Sequence, residues 1–227
     1  MKTNVPDPRP ENLQSRKRTT KEALIEVGEQ LLGQRGFYGV SLREIAAEAG
    51  QSNTNAVQYH FKDKEGLIYA IIEDRSAIIE NTRRVQLAMF EEESQLSCHD
   101  LLKIFWLPLM TIQDADGYHS YCRFMLQYML YPGFIRHPMA QAYNALVDAE
   151  SQYVTPFPCS KRTTDLLLEL HPILSTATFG TRISALARMF LASIVEHDNA
   201  RAAGLTDAEF DIKPILDMAA AALAAPD

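Results

Sequence analysis

The stretch from Ser41 to Gly66 reads SLREIAAEAGQSNTNAVQYHFKDKEG, and its pattern decides the fold of the first part of the chain. Ser41 is suited to cap a helix at its amino terminus, and Glu44, three residues later, completes a capping box. Gly50 follows at a position where a left-handed residue ends a helix and turns the chain. The apolar residues between them recur at helical spacing and give this short helix one buried face: Leu42, Ile45, Ala46 and Ala49.

A second short helix is predicted after the turn, capped by Ser52 or Asn53 and ending near His60. Only Ala56 and Val57 are suited to packing, and the small Ala56 would allow two helices to approach closely. The remaining side chains are hydrogen-bonding groups: Asn53, Thr54, Asn55, Gln58 and Tyr59. Asn and Gln match adenine edges in the major groove. The pattern therefore predicts either a helix-turn-helix that presents a polar helix to DNA or an ordinary helical hairpin whose polar side chains face water.

The sequence around the hairpin favours the first interpretation. Spaced residues of one pattern cover roughly residues 18–72: Thr20-Lys-Glu-Ala-Leu-Ile, Gly36-Phe37, Ser41-Leu42, Ile45-Ala46, Ala49-Gly50, Tyr59-His60-Phe61 and Lys64-Glu65-Gly66-Leu67. In this pattern the chain resembles the TetR family of transcriptional regulators. The resemblance implies a three-helix DNA-binding domain followed by a larger all-helical domain that dimerises and usually binds a small effector.

The chain departs from the family pattern inside the second helix. Eight residues separate Gly50 from Tyr59, where the family more often has seven, so the register of residues 51–55 stays open by one position. The family also often carries a tyrosine where Gln58 stands. In this chain an amide contact to DNA would therefore replace the phenol contact.

Composition predicts a soluble globular protein of one large or two small domains. The chain has 227 residues, of which 47% are hydrophobic. No run approaches the roughly 20 apolar residues of a membrane helix, and the first ten residues contain no apolar signal-peptide core. A cytoplasmic location without a membrane partner is therefore expected.

Catalysis, metal binding and cofactors are not expected. The sequence has no Gly-x-Ser-x-Gly, no glycine-rich phosphate loop and no His-Glu-x-x-His. Cys98, Cys122 and Cys159 are widely spaced, so we predict reduced thiols and no redox pair. The histidines are also widely spaced, and no metal site is predicted.

The charge is divided unevenly along the chain. The net charge is −7, yet residues 1–66 carry ten Lys or Arg and nine Asp or Glu, which leaves −8 on the remainder. A basic run, Arg16, Lys17, Arg18 and Lys21, precedes the first helix and could follow a phosphate backbone or enter a minor groove. Alternatively, it is a solvated tail beside a helix start.

The fold class predicted from these features is all-α, with no strand-like alternation. Residues 1–15 are expected to form a disordered leader, residues 16–66 the helix-turn-helix domain, and residues 67–227 a helical bundle for effector binding and dimerisation. The predicted helices are Thr20–Arg35, Ser41–Ala49, Ser52–His60, a long bridging helix from Asp63 to about Phe90, Leu101–Ile112, Tyr118–Tyr131, Pro138–Tyr153, Thr163–Leu170, Ser175–His197 and a last helix that begins at the capping box of Thr206 and ends in residues 219–225.

The last two long helices alternate large and small apolar residues. These are Ile183, Leu186, Ala187, Phe190, Leu191 and Ile194 in one, and Ile215, Leu216, Ala219 and Leu223 in the other. In the family such helices form a two-fold four-helix bundle, and two-fold operators match two-fold proteins. A homodimer is therefore expected, although the same rows could complete the core of a single chain.

Two neighbouring helices concentrate aromatic and methionine side chains, as an apolar ligand pocket would. An aromatic row at helical spacing is equally compatible with core packing. The residues predicted to bind a small-molecule effector are Trp106, Met110, His119, Tyr121, Arg123, Phe124, Gln127 and Tyr128, in which His119, Arg123 and Gln127 would orient the ligand.

The functional prediction is a dimeric repressor that binds a palindromic operator in double-stranded DNA and is released by its effector. The residues predicted to contact DNA are Arg16, Lys17, Arg18, Ser41, Arg43, Gln51, Ser52, Asn53, Thr54, Asn55, Gln58, Tyr59, His60 and Lys64. Activation by the same protein stays open, because whether DNA binding lowers or raises transcription depends on the position of the operator. The alternative function is a helical small-molecule-binding or scaffold protein that does not bind specific DNA.

Overall fold

The computed structural model describes residues 19–51, 55–91, 96–131 and 157–226, which form helices joined by turns and loops without a strand among them. In chain order the helices are α1 (Thr20–Arg35), α2 (Leu42–Glu48), α3 (Asn55–Phe61), α4 (Lys64–Glu91), α5 (Cys98–Met110), α6 (Ser120–Leu130), α7 (Pro158–Glu169), α8 (Thr176–Ala202) and α9 (Lys213–Ala224). The predicted all-α class is confirmed. The leader 1–15 and the helix predicted at 138–153 lie outside the described residues.

The start of α2 is fixed by local hydrogen bonds. The Ser41 hydroxyl accepts a hydrogen bond from the Glu44 backbone N–H at 3.2 Å, and the Glu44 carboxylate accepts one from the Ser41 N–H at 2.8 Å. This is the predicted capping box. After α2, Gly50 has a φ of 71°, so the chain turns through the left-handed region where glycine carries no steric cost.

A second tight connection joins α3 to α4. The Gly66 N–H donates to the Asp63 carboxylate at 2.8 Å, so Asp63 caps α4 as predicted. A methyl group at Gly66 would overlap the carbonyl oxygen of Phe61. Only glycine therefore lets α4 begin directly against the end of α3.

One hydrophobic core joins the amino-terminal helices to the rest of the chain. Leu32, Val57 and Ile71 are among its fully buried side chains, which come from α1, α3 and α4. Helix α6 packs extensively on α1, because Gly33 brings the α1 backbone against that of Phe124. The α6 side therefore belongs to the same packed unit as the helix-turn-helix.

A second core lies between α5, α8 and α9, around Trp106, Phe179 and Phe190. The apolar rows that the sequence assigns to the last two long helices are all buried in this core of the single chain. They complete the monomer, so a partner chain would have to contact other faces of α8 and α9.

The last helix begins later than predicted. Thr206 does not start it, because its hydroxyl accepts from the Ala208 N–H in a turn, and α9 begins at Lys213 with Pro214 in its first turn. A helix started at Thr206 would have Pro214 in its interior, where proline lacks an N–H and its ring clashes with the preceding turn; a helix that begins at Lys213 has Pro214 in its first turn, where no N–H is needed. Other bounds also differ: α5 begins at Cys98 and ends at Met110, α7 begins at Pro158, and α8 extends to Ala202.

None of the helices in the described part of the chain is long and apolar enough to cross a membrane.

Candidate nucleic-acid interface and effector cavity

Helices α2 and α3 form a helix-turn-helix whose inner faces pack on α1 and α4. Ile45 and Val57 are fully buried, and Phe61 is nearly so. On the outer side of α3, Asn55, Gln58 and Tyr59 are exposed. The Tyr59 ring is 86% exposed and contacts the His60 ring edge-on at 5.1 Å. A large aromatic side chain in this position on a polar face is a surface available to a partner molecule.

Six of the residues predicted to contact DNA lie outside the described residues: Arg16, Lys17, Arg18, Ser52, Asn53 and Thr54. Of the others, Arg43 is exposed on α2, and the Gln51 side-chain amide donates to the Ala49 carbonyl at 3.2 Å. Arg43 is therefore open to solvent on the same helix-turn-helix as the polar face of α3. The hydrogen bond of Gln51 stabilises the turn between α2 and α3.

Ser41 and Lys64 also make hydrogen bonds that stabilise the fold. The hydroxyl of Ser41 belongs to the capping box, and its hydrogen bonds hold the pKa of Glu44 below its usual value. The Lys64 ammonium donates to the carbonyls of Phe37 and Val40, in the loop between α1 and α2. Burial lowers the pKa of Lys64. Two of its three N–H donors are thus engaged within the protein.

A comparison with protein families matches residues 24–71 to the family described as "Bacterial regulatory proteins, tetR family". The matched segment contains α1, the helix-turn-helix and the first turns of α4. The amino-terminal segment of the chain, residues 24–71, is therefore similar to this family of regulatory proteins.

A curated relative with a matching segment is the protein named "Probable HTH-type transcriptional regulator YttP" from Bacillus subtilis (strain 168). It is 40% identical over 56 residues, a segment that spans 25% of this chain and 27% of the relative. The similarity to this relative thus covers about a quarter of either protein.

Two solved structures resemble the whole chain at low identity. One, from Clostridium perfringens, is 17% identical, covers 88% of this chain and 96% of its own, and gives a TM-score of 0.37. The other, from Rhodococcus sp. RHA1, is a protein with unknown function that is 17% identical, with 93% and 97% of the chains covered and a TM-score of 0.36.

Behind α4, the protein contains a cavity of about 100 Å³ between α4, α5, α6, α7 and α8. Three of the residues predicted to bind an effector line it, namely Trp106, Tyr121 and Tyr128. The other aromatic side chains of the wall are Phe105, Phe157 and Phe190. Burial raises the pKa of both Tyr121 and Tyr128, so their phenols stay neutral.

A buried polar network closes one side of the cavity. Arg83 donates to Glu80 at 3.2 Å, to the Ile104 carbonyl at 3.4 Å, and also to Ser160 and the Phe105 carbonyl. Glu80 in turn accepts from the backbone N–H of Cys159 at 2.7 Å and from the Ser160 hydroxyl. Burial lowers the pKa of Arg83, while Glu80 acts in the opposite direction. The charges of the two side chains therefore compensate each other inside the protein.

The remaining five residues predicted to bind the effector lie outside this cavity. The Phe124 ring is tilted by 52° against that of Phe37, with ring centroids 5.4 Å apart, and Gln127 lies beside Gly36. Arg123 donates to the Asn199 side chain at 2.8 Å. The two others, Met110 and His119, line a separate surface depression near the carboxyl end of α8.

His119 is tied to α8 rather than to a cavity. Its backbone N–H donates to the buried Asp198 carboxylate at 2.7 Å, and its Nδ1 lies 3.1 Å from the same group. Asp198 has no exposed surface. These contacts give His119 a structural partner, which periodicity within α6 could not reveal.

A buried carboxylate connects the helix-turn-helix domain to the helices around the cavity. Glu29 of α1 is 1% exposed, accepts from Arg75 Nε of α4 at 2.6 Å and also accepts from the Ser120 hydroxyl of α6. The next residues, Ser76 and Tyr121, both line the cavity. The cavity wall and the α1 anchor are thus consecutive residues on two helices.

The sequence analysis missed Glu80, Arg83 and Ser160. A signal for the first two was present, because Ile72, Ser76, Ile79, Glu80 and Arg83 recur at helical spacing on one side of α4. Charged residues in that row would have to be buried or face a cavity. No comparable pattern marks Ser160.

Proposed function

We propose that this protein is a transcriptional regulator of the TetR family that binds an inverted-repeat operator as a homodimer and is released from it by a small-molecule effector. The observation that carries the proposal is the helix-turn-helix in the matched segment, with its exposed polar face on α3. Catalytic activity is not part of the proposal, and a cytoplasmic location follows from the DNA partner.

In this proposal, Gln58 and Asn55 approach base edges, and the Tyr59 hydroxyl, Arg43 and the basic run before α1 contact phosphates. His60, Gln51 and residues 52–54 are also proposed to contact DNA. The two copies of α3 in a dimer would enter successive major grooves, roughly 34–36 Å apart. Lys64 would contact a phosphate through its remaining N–H donor. Ser41, whose backbone N–H and hydroxyl both donate to Glu44, would contribute by positioning the start of α2 against the DNA.

Release by an effector would use the connection through Glu29. A ligand that displaces Ser76 or Tyr121 acts on Arg75 and Ser120, which hold α1. The orientation of α1 and the helix-turn-helix would change, and with it the distance between the two recognition helices. The ligand would favour the form with lower DNA affinity to the extent that it binds that form more tightly. Whether DNA binding represses or activates depends on the operator position.

The test is selection of bound sequences from a random DNA pool by the full-length protein at physiological salt. An enriched inverted repeat is expected, and its centre-to-centre distance would give the spacing of the recognition helices. A folded protein that enriches no sequence would instead favour a helical ligand-binding or scaffold protein, for which the unusual Gln58 and the extra residue before Tyr59 are the supporting features.

A further inference from the structure

We propose that the cavity behind α4 takes a neutral, largely aromatic ligand with one hydrogen-bond acceptor, such as a ketone or ether oxygen, that binds the indole N–H of Trp106. The inference rests on the proposed function, since it names the chemical class of the effector. It can fail without affecting DNA binding, because ligand binding to the free protein is measured separately.

One side chain of the cavity wall carries an unsatisfied hydrogen-bond donor. Trp106 lines the cavity, is 1% exposed, and its Nε1 has no hydrogen-bond partner among the described residues. A buried donor without an acceptor is costly, so an acceptor supplied from the cavity would be bound preferentially. Two further unpartnered polar atoms, Gln86 Oε1 and His171 Nδ1, belong to residues that do not line the cavity.

The charges in the cavity wall are already balanced within the protein. The Arg83 guanidinium is already paired with Glu80 and donates to two backbone carbonyls and Ser160. An anionic ligand would have to replace these contacts or lie near the Glu80 carboxylate, after losing its own hydration. The network therefore selects against a carboxylate and in favour of a neutral compound.

The cavity wall has a flat aromatic surface. The indole of Trp106 stacks on Phe190 with centroids 5.1 Å apart and planes 10° apart, so this wall is flat and already supported from behind. Four more aromatic rings and the thioethers of Met125 and Met129 complete an apolar surface. Flat rings favour an aromatic ligand, and methionine side chains adjust to its outline.

The experiment uses three probes of similar size: 1-phenylbutan-1-one, its hydrocarbon isostere 2-phenylpent-1-ene, and the anion 4-phenylbutanoate. Trp106 is the only tryptophan in the chain, so a ¹⁵N-labelled protein gives one indole N–H cross-peak. We expect the ketone to move this peak downfield, as a new hydrogen bond does, and to bind about tenfold more tightly than the hydrocarbon by calorimetry. The anion should bind more weakly than either.

The variant Trp106→Phe keeps a ring against Phe190 and removes the donor. The ratio of the ketone and hydrocarbon dissociation constants should then fall from about ten to about one. The ratio is its own control, because the smaller ring packs less well against both probes and weakens both to a similar extent. Equal binding of ketone and hydrocarbon to the native protein, tighter binding of the anion, or no binding of either neutral probe would overturn the inference. An inverted repeat enriched from the DNA pool would leave the regulator assignment standing in each of these cases.

Discussion

At the scale of single residues, Gln58 separates base recognition from general DNA affinity. Its side chain is exposed on α3, one residue before the exposed Tyr59 ring. Gln58→Ala should cost about 1–3 kcal/mol of binding free energy on the selected operator and little on random DNA, because a base-edge contact is specific. Fluorescence anisotropy with both DNAs checks this, and equal losses on the two would show that Gln58 does not read a base.

A substitution at Lys64 tests whether this lysine, which the sequence predicts to bind phosphate, stabilises the fold instead. Its ammonium donates to the carbonyls of Phe37 and Val40. Lys64→Met keeps the stem and leaves both carbonyls without this partner, so the free energy of unfolding should fall by about 1–3 kcal/mol. Urea denaturation measures the loss, and Lys62→Met, at an exposed neighbour, is the matched control.

The salt dependence of DNA binding gives the second readout for Lys64. If the side chain contacts a phosphate, the slope of log affinity against log salt should fall by about 1 in the Lys64→Met protein. A normal stability together with a reduced slope would contradict the structural role. A reduced stability with an unchanged slope would remove Lys64 from the phosphate contacts.

At the scale of helices, local signals were predictable and long-range partners were not. The α2 capping box depends on residues three positions apart, so the sequence contains the whole interaction. The same reasoning failed at Thr206, where an equally good local signal was outweighed by Pro214. Periodicity shows which side of α6 is buried, but not that His119 faces Asp198, which lies far along the chain on α8.

The contact between α1, α4 and α6 through Glu29 allows a test at this scale. Glu29→Gln keeps the shape but removes the charge that holds Arg75, which is 17% exposed. A double-mutant cycle with Arg75→Met should give a coupling of about 1–3 kcal/mol in the free energy of unfolding. Glu73→Gln, at an exposed position on α4, should change stability by less than about 0.5 kcal/mol.

The same variants report on signal transfer. If Glu29 carries the effect of the ligand to α1, Glu29→Gln should retain ketone binding and lose most of the ligand-induced decrease in operator affinity. Anisotropy titrations with and without the probe measure this decrease. An unchanged decrease in the Glu29→Gln protein, together with additive single-variant stabilities, would show that α1 is positioned by other contacts.

At the scale of the whole molecule, the proposed dimer needs a surface that the single chain does not use. The inner rows of α8 and α9 are buried in the monomer core. On their outer faces Ala185 and Ala221 are exposed, and Met218 is 51% exposed. Small side chains allow helices of two chains to pack closely, so we expect this face to form the two-fold contact.

Ala185→Arg places a long charged side chain in that contact and should dissociate the dimer. Light scattering should then give the mass of one chain, 25.5 kDa, instead of twice that value. Affinity for the inverted repeat should fall at least about 100-fold, because binding to the second half-site is no longer intramolecular. Ala88→Arg adds the same side chain to an exposed position on α4 and should leave both quantities unchanged. A dimer that persists in Ala185→Arg with native operator affinity would place the two-fold contact elsewhere on the molecule.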